Sequence, residues 1–158
     1  MDKDPFSKEA FGVSLRRATL ADAPRILELQ KKVSSPHAYV AVSLEDIEDD
    51  IRNVVVNLIE SGGVVVGSVT YEKTDDHAFI ASLHIDPSVQ SGGVGRAALE
   101  MVLQELKDCA RVEAQTGENN KPMLELAQKL GFVVAGKTKG GDDQTILNLV
   151  RVKKSLEN

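Results

Sequence analysis

The hydrophobic period of this chain changes twice, and the order of those changes limits the folds open to it. Ile26, Leu29 and Val33, then Leu44, Ile47 and Ile51, recur at helical spacing. From Val54 the pattern turns to β-branched runs. Val54–Glu60 and Val64–Glu72, separated by Ser61-Gly62-Gly63, read as a hairpin, and Ala78–Asp86 reads as a third strand after the turn Lys73–Asp76. Helical spacing returns over Val94–Lys107, with Val94, Ala98, Val102 and Leu106 along one side. Arg111–Gln115 then reads as a strand, Asn119–Leu130 as a helix stopped by Gly131, and Phe132–Thr138 and Thr145–Val152 as closing strands around the turn 139–142. With a first strand at Val13–Ala18, the predicted order is β-αα-βββ-α-β-α-ββ. Meanders pair antiparallel and helix crossovers pair parallel, so the order predicts an α/β chain with helices packed on one mixed sheet.

Local signals support the boundaries. Thr19–Asp22 and Ser43–Asp46 each set a hydroxyl three residues before an acid, the pattern of a capped helix start, and Ser34-Ser-Pro36 stops the first helix. At 158 residues one domain is expected, at 13–158, with 1–12 a loose lead-in from which Phe6 and Phe11 could dock. A net charge of −5 is the wrong sign for a general nucleic-acid binder, so any polyanion must be held locally, by geometry. The single Cys109 excludes an internal disulfide and a multi-cysteine zinc site. No apolar run nears the ~18 residues of a membrane span, and the acidic start MDKDPFSKEA does not read as a signal peptide. The expectation is a cytoplasmic protein without metal, nucleic-acid or membrane partners.

The chemistry concentrates at Ile85-Asp-Pro-Ser-Val-Gln90-Ser-Gly-Gly93-Val-Gly95-Arg96. A strand ends at proline, a short loop follows, and glycines open directly into a helix. Glycine lets successive backbone N–H groups converge, and a helix start adds unbonded amides and the positive dipole end. Together they suit a phosphate or pyrophosphate, with Arg96 able to add a charged contact; the alternative is that the glycines only turn a tight corner. A P-loop is excluded, because Gly95-Arg96-Ala97 stands where Gly-Lys-Ser/Thr would be needed. Gly93-Val-Gly95-Arg-Ala-Ala98 matches a dinucleotide fingerprint, with Glu113 beyond it. It follows an antiparallel meander and lies six residues past its strand, which argues against that reading.

Gln90-x-x-Gly93-x-Gly95, preceded by Leu83-His-Ile85-Asp-Pro87, resembles the acetyl-CoA signature of the GNAT superfamily of N-acetyltransferases. Asn119-Asn120 through Leu130-Gly131-Phe132 is similar to that family's Asn-rich turn, helix and terminal Leu-Gly-Phe, and Leu15–Asp22 resembles its usual start. The resemblance covers residues 13–152. It implies a GNAT fold whose strand bearing Leu83 and Ile85 splays from the strand at 111–115, with pantetheine in the gap. It also implies pyrophosphate on Gly93, Val94, Gly95 and Arg96, helped by Gln90, Ser91 and Gly92, and pantetheine on the backbone of Leu83 and Ile85. Asn120 would touch the cofactor arm, act as a helix N-cap, or both.

The chain departs from the family at the proton-transfer positions. The family's usual tyrosine position holds Ala127, and by the family's register the inward positions on the strand before the loop are Phe79 and Ala81. Tyr39 and Tyr71 are too distant in sequence to replace the tyrosine. Glu113 is a weak candidate base acting through water, against the plainer reading of an exposed strand carboxylate. Gln115, on the same face, stands where one branch carries a Glu base, and as an amide could only orient a substrate. Alternation turns His84 away from Leu83 and Ile85; His37 and His77 read as loop residues. Cys109 has no activating histidine nearby in sequence, which argues against an acyl-cysteine route. Glu45–Asp50 and Asp142-Asp143 read as solvated faces that would favour a cationic amine if they lined a groove.

The sequence therefore reads as an acetyl-CoA-dependent N-acetyltransferase. A primary amine, on a small molecule or at a peptide or protein N-terminus, would attack the thioester directly in a ternary complex. One alternative is a catalytically inactive acyl-CoA-binding sensor module; another is a globular domain whose loop binds nothing. Segments 34–43 and 138–144 would shape the acceptor site, and either a monomer or a homodimer suits the family.

Overall fold

The computed structural model describes residues 12–33, 43–140 and 144–153, with only the backbone described at 90–92. Most of the lead-in, the Ser34–Pro36 stop, His37, Tyr39 and Asp142-Asp143 lie outside them. The elements are β1 (Val13–Arg17), α1 (Ala23–Val33), α2 (Leu44–Asn53), β2 (Val55–Ser61), β3 (Val64–Thr74) and β4 (His77–Ile85), followed by α3 (Val94–Glu105), β5 (Arg111–Gly117), α4 (Lys121–Lys129), β6 (Val133–Lys139) and β7 (Thr145–Val152). This is the order expected from the periods. The seven strands form one sheet in the order β1-β2-β3-β4-β5-β7-β6. Only the β4–β5 pair is parallel, because α3 carries the chain between those strands.

Each face of the sheet buries its own core. On one face α3 and α4 cover Ile59, Val69, Ile80, Val112 and Leu149; on the other α1 and α2 cover Val56 and Leu58 with Ile26 and Ile47. A fully buried Leu or Ile contributes about 1.5–3 kcal/mol, so these periodic positions hold the helices against the sheet.

The local signals act through specific bonds. Ser43 Oγ accepts from the Asp46 amide at 3.1 Å and starts α2. At Thr19 the roles differ from the simple cap: its hydroxyl and its amide both donate to the Asp22 carboxylate, at 3.2 and 2.8 Å. A 3₁₀ turn at Leu20–Asp22 precedes α1. Arg16 bonds the same carboxylate, and with the Thr19 amide it holds Asp22 below the usual carboxylate range. The β3–β4 turn shrinks to Asp75-Asp76, with Asp75 at φ 56°, and β5 runs two residues longer than its apolar pattern indicated. The stretch expected to be an irregular loop at 87–93 contains a 3₁₀ helix, Pro87–Gly92. Pro87 presets its first turn, while Asp86 accepts from the Ser88 amide and hydroxyl, both at 3.0 Å.

One irregularity matters for the site. Thr70 pairs with Ser82 but Tyr71 pairs with Ile80, so Ala81 is an extra residue in β4. This bulge keeps Leu83 and Ile85 on the face of Ala78 and Ile80 and sends Ser82 and His84 to the α1 face. Gly67 permits the close pairing here: a Cβ on it would collide with the His84 carbonyl oxygen.

Candidate active site

The parallel ladder between β4 and β5 joins His77, Ala78, Phe79 and Ile80 to Arg111, Val112, Glu113 and Ala114, and then stops. Both strands continue past it, β4 held by β3 to Ile85 and β5 held by β7 to Gly117. They splay, as expected, and a cavity of about 200 Å³ opens in the gap. Ile80, Ser82, Leu83 and His84 line it from β4, Gln115 and Thr116 from β5, and Asn120, Met123 and Ala127 from the start of α4 and its body.

The position that the family resemblance assigns to a tyrosine does face this gap. Ala127 is 3% exposed and lines the cavity with a methyl group. Phe79, read as inward-facing, is not among the lining residues, because the bulge at Ala81 puts it on the α1 face while lining begins at Ile80. Ala81 does line it. Conversely His84, which alternation turned away from Leu83 and Ile85, is on the opposite face from them and still lines the cavity, since the splay opens the sheet. Neither the bulge nor the end of the ladder leaves a mark in the sequence.

Of the two cofactor-arm candidates on β4, Leu83 lines the cavity, while Ile85 is buried in the core and lies 3.8 Å from where a Gly95 Cβ would stand. The first turn of α3 thus lies against the end of β4. That turn follows Gly93, in the left-handed conformation at φ 79°, and no side chain among the described residues caps it. Amides in a first turn have no acceptor within their own helix, so those of Val94 and Gly95 point outward. Arg96 bonds Glu100 at 3.2 Å. Asn120 acts as the N-cap: its Oδ1 accepts from the Met123 amide at 3.4 Å and starts α4, and the residue also lines the cavity. Gln90, Ser91 and Gly92 form the end of the 3₁₀ helix that leads into Gly93.

The family pattern described as Acetyltransferase (GNAT) family matches residues 20–132, from the 3₁₀ turn before α1, through the glycine loop, to the end of α4. The chain belongs to this family. As a GNAT protein it is an N-acetyltransferase, and the family uses acetyl-CoA. It is 29% identical to the L-amino acid N-acyltransferase MnaT of Escherichia coli over 143 residues, covering 77% of this chain and 80% of that protein. A stretch of 70 residues is 34% identical to the protein YqkA of Bacillus subtilis, covering 44% of this chain but only 20% of YqkA. In fold it is similar to yncA of Salmonella typhimurium, solved with its cofactor acetyl-CoA. The TM-score is 0.74 at 19% identity, over 90% of this chain and 95% of that one.

Of the remaining groups weighed from the sequence in this GNAT chain, Gln115 lines the cavity and Glu113, Tyr71 and Cys109 do not. The Glu113 carboxylate bonds Arg111 at 2.6 Å and does not line the cavity. Tyr71 donates to Glu105 at 2.6 Å on the α3 face, and burial with this bond pushes its phenol up to about 12. It is a packing residue and is not part of the cavity lining. Cys109 is buried in the core. Gln115 donates from Nε2 to Asn148 Oδ1 at 2.7 Å, and Asn148 Nδ2 donates to Thr138 at 2.9 Å. This amide chain across β5, β7 and β6 was missed in the sequence, because Asn148 and Thr138 meet Gln115 only through strand register. Among the described residues no three His, Cys, Asp or Glu side chains are grouped to hold a metal, and no helix is long and apolar enough to cross a membrane.

Proposed function

We propose that this N-acetyltransferase binds acetyl-CoA in the β4–β5 gap and transfers its acetyl group to a primary amine in a ternary complex. The observation that carries the reading is the end of the β4–β5 ladder at Ile80–Ala114 while both strands run on, beside a glycine-started helix that no described side chain caps. A diphosphate suits the residues present. Gly93 turns the backbone, Gly95 keeps the first turn open, and the described lining of the cavity carries no acidic side chain. In this reading the amides of Val94, Gly95 and Arg96, with Gly93 and the turn Gln90–Gly92, hold the diphosphate. The β4 backbone at Leu83 and Ile85 orients the pantetheine arm, and Asn120 contacts it from the start of α4. Acetyl-CoA supplies the acetyl group as a thioester, whose carbonyl carbon is the point of attack. Alignment of the two reactants supplies much of the rate in such transfers, and backbone N–H groups at the gap stabilise charge on the carbonyl oxygen. The similarity to MnaT makes small L-amino acids the first acceptors to test, with a peptide N-terminal amine as the second class.

The test is thermal stabilisation by acetyl-CoA, CoA, ATP and NADH on the wild type and on Gly95→Glu. A ligand at a hundred times its Kd adds about 2.7 kcal/mol. Stabilisation by both CoA species alone, lost in a folded Gly95→Glu, is the expected result; no shift with CoA, or a larger one with NADH, overturns the reading. Thiol release with the twenty L-amino acids and with short peptides then identifies the acceptor.

A further inference from the structure

Away from the glycine start of α3, the molecule holds a second concavity that shares no lining residue with the β4–β5 gap. An open groove of about 570 Å³ runs between the C-terminal half of α3, the residues that close α4 and the end of β7. That volume suits a small molecule, whose sites usually span about 300–1,000 Å³. Leu103, Leu130 and Val152 give the groove an apolar lining, and Lys107, Arg151 and Lys153 give it positive charge. Gln104, on its α3 wall, lies about 15 Å along the helix axis from Val94 at 1.5 Å per residue. The groove is therefore a different place from the turn that suits a diphosphate.

Three cations meet here in a chain whose net charge is −5. Arg151 is the fixed one. Its half-buried side chain donates from Nε to the Leu130 carbonyl at 2.8 Å. It also lies over Gly131, where an added Cβ would stand 3.2 Å from that Nε. The bond to Leu130 closes α4, whose last carbonyls attract a cation. It accounts for one N–H of the guanidinium and leaves the fork of two Nη groups at its tip. Among the described residues no carboxylate pairs with Arg151, Lys107 or Lys153. The one carboxylate in the described lining, Glu100, is already bonded by Arg96 at 3.2 Å. A guanidinium fork matches the oxygens of a carboxylate or a phosphate two at a time.

We propose that this groove binds a small organic oxyanion, a carboxylate or phosphate carried on a compact apolar body. The Arg151 fork takes two of its oxygens, and Lys107 and Lys153 add attraction for the charge. The apolar body covers Leu130 and Val152, which is 60% exposed. An ion without such a body would leave that apolar lining in water. None of these residues lines the β4–β5 gap, so the site is independent of the acetyl-transfer reading.

The test titrates the intact protein with phenyl phosphate, benzoate and inorganic phosphate, each with and without saturating acetyl-CoA. The readout is the NMR signal of the Arg151 Nε–H, identified as the one missing in Arg151→Lys. The expected result is a saturable shift of this signal with phenyl phosphate or benzoate that acetyl-CoA does not suppress; the tighter of the two names the oxyanion. Inorganic phosphate should bind more weakly than phenyl phosphate. Replacing the two exposed lysines together, Lys107→Met with Lys153→Met, should raise Kd about tenfold in a protein that melts like the wild type. An unchanged Kd in that double variant overturns the proposal, as does equal affinity for inorganic phosphate. Suppression by acetyl-CoA overturns it by placing the probes at the start of α3. A wild type that takes neither organic probe overturns it too, and binding gained on removal of residues 154–158 would then assign the groove to that segment.

Discussion

The starts of α2 and α3 solve the same problem in opposite ways. Both helices open with amides that have no partner within the helix. At α2 the Ser43 hydroxyl satisfies one of them locally, and acidic Glu45 and Asp46 complement the dipole. At α3 a left-handed glycine stands at the cap position, no described side chain caps the first turn, and no acidic residue lies in it. The first arrangement stabilises a helix; the second leaves a positive, hydrogen-bonding surface for an outside partner. The start of α4 combines them, since Asn120 both caps its helix and lines the cavity.

Substitutions at these three starts should separate the two uses. The largest effect is expected at α3: Gly95→Glu places a carboxylate where a diphosphate is to bind, and the whole acetyl-CoA stabilisation, about 2.7 kcal/mol at a hundred times Kd, should disappear from the melting curve. A retained shift would mean that α3 is not the anion site. Gly93→Ala forces a side chain into the left-handed region and should cost about 1–2 kcal/mol, read by urea unfolding, with weaker acetyl-CoA binding alongside. Ser43→Ala should cost about 1 kcal/mol in the same assay while leaving acetyl-CoA affinity untouched. Asn120→Ala lies between them, with a similar loss of stability and a measurable loss of affinity. If Ser43→Ala weakened the ligand as much as Asn120→Ala, the division between structural and binding caps would fail.

The smallest effect is expected at Tyr71, which lies on β3 and bonds Glu105 at the far end of α3 from its start. Its phenol is held neutral, with its pKa pushed up to about 12 from 10.0. Protonation is therefore favoured in the folded state, and the stability it adds is complete below pH 10 and is lost as pH rises toward 12. Unfolding followed over that range should show a decline in the wild type that Tyr71→Phe lacks.

The order of elements was legible because each carries its own periodic or capping signal. The apolar stripe of α1, the Gly62-Gly63 turn and the Gly131 stop are all local, and local physics places them within a residue or two. The glycine loop was legible for the same reason, as was the position of Ala127, which the structure places on the cavity wall. The 3₁₀ helix after Asp86 was less so, because it depends on one side chain folding back onto the Ser88 amide.

What the sequence by itself determined is a mixed α/β sheet, a glycine-started helix beside a strand end, and a missing tyrosine. The tertiary structure alone decided which polar groups meet in the gap. An extra residue in β4 exists only relative to its partner on β3, and the end of the β4–β5 ladder only relative to β5. His84 and Gln115 are far apart in the chain and both line the gap, and Asn148 meets Gln115 only through strand register. Side-chain direction in a strand is set by pairing as well as by counting, so a single bulge separates Phe79 from the face of Leu83 and Ile85.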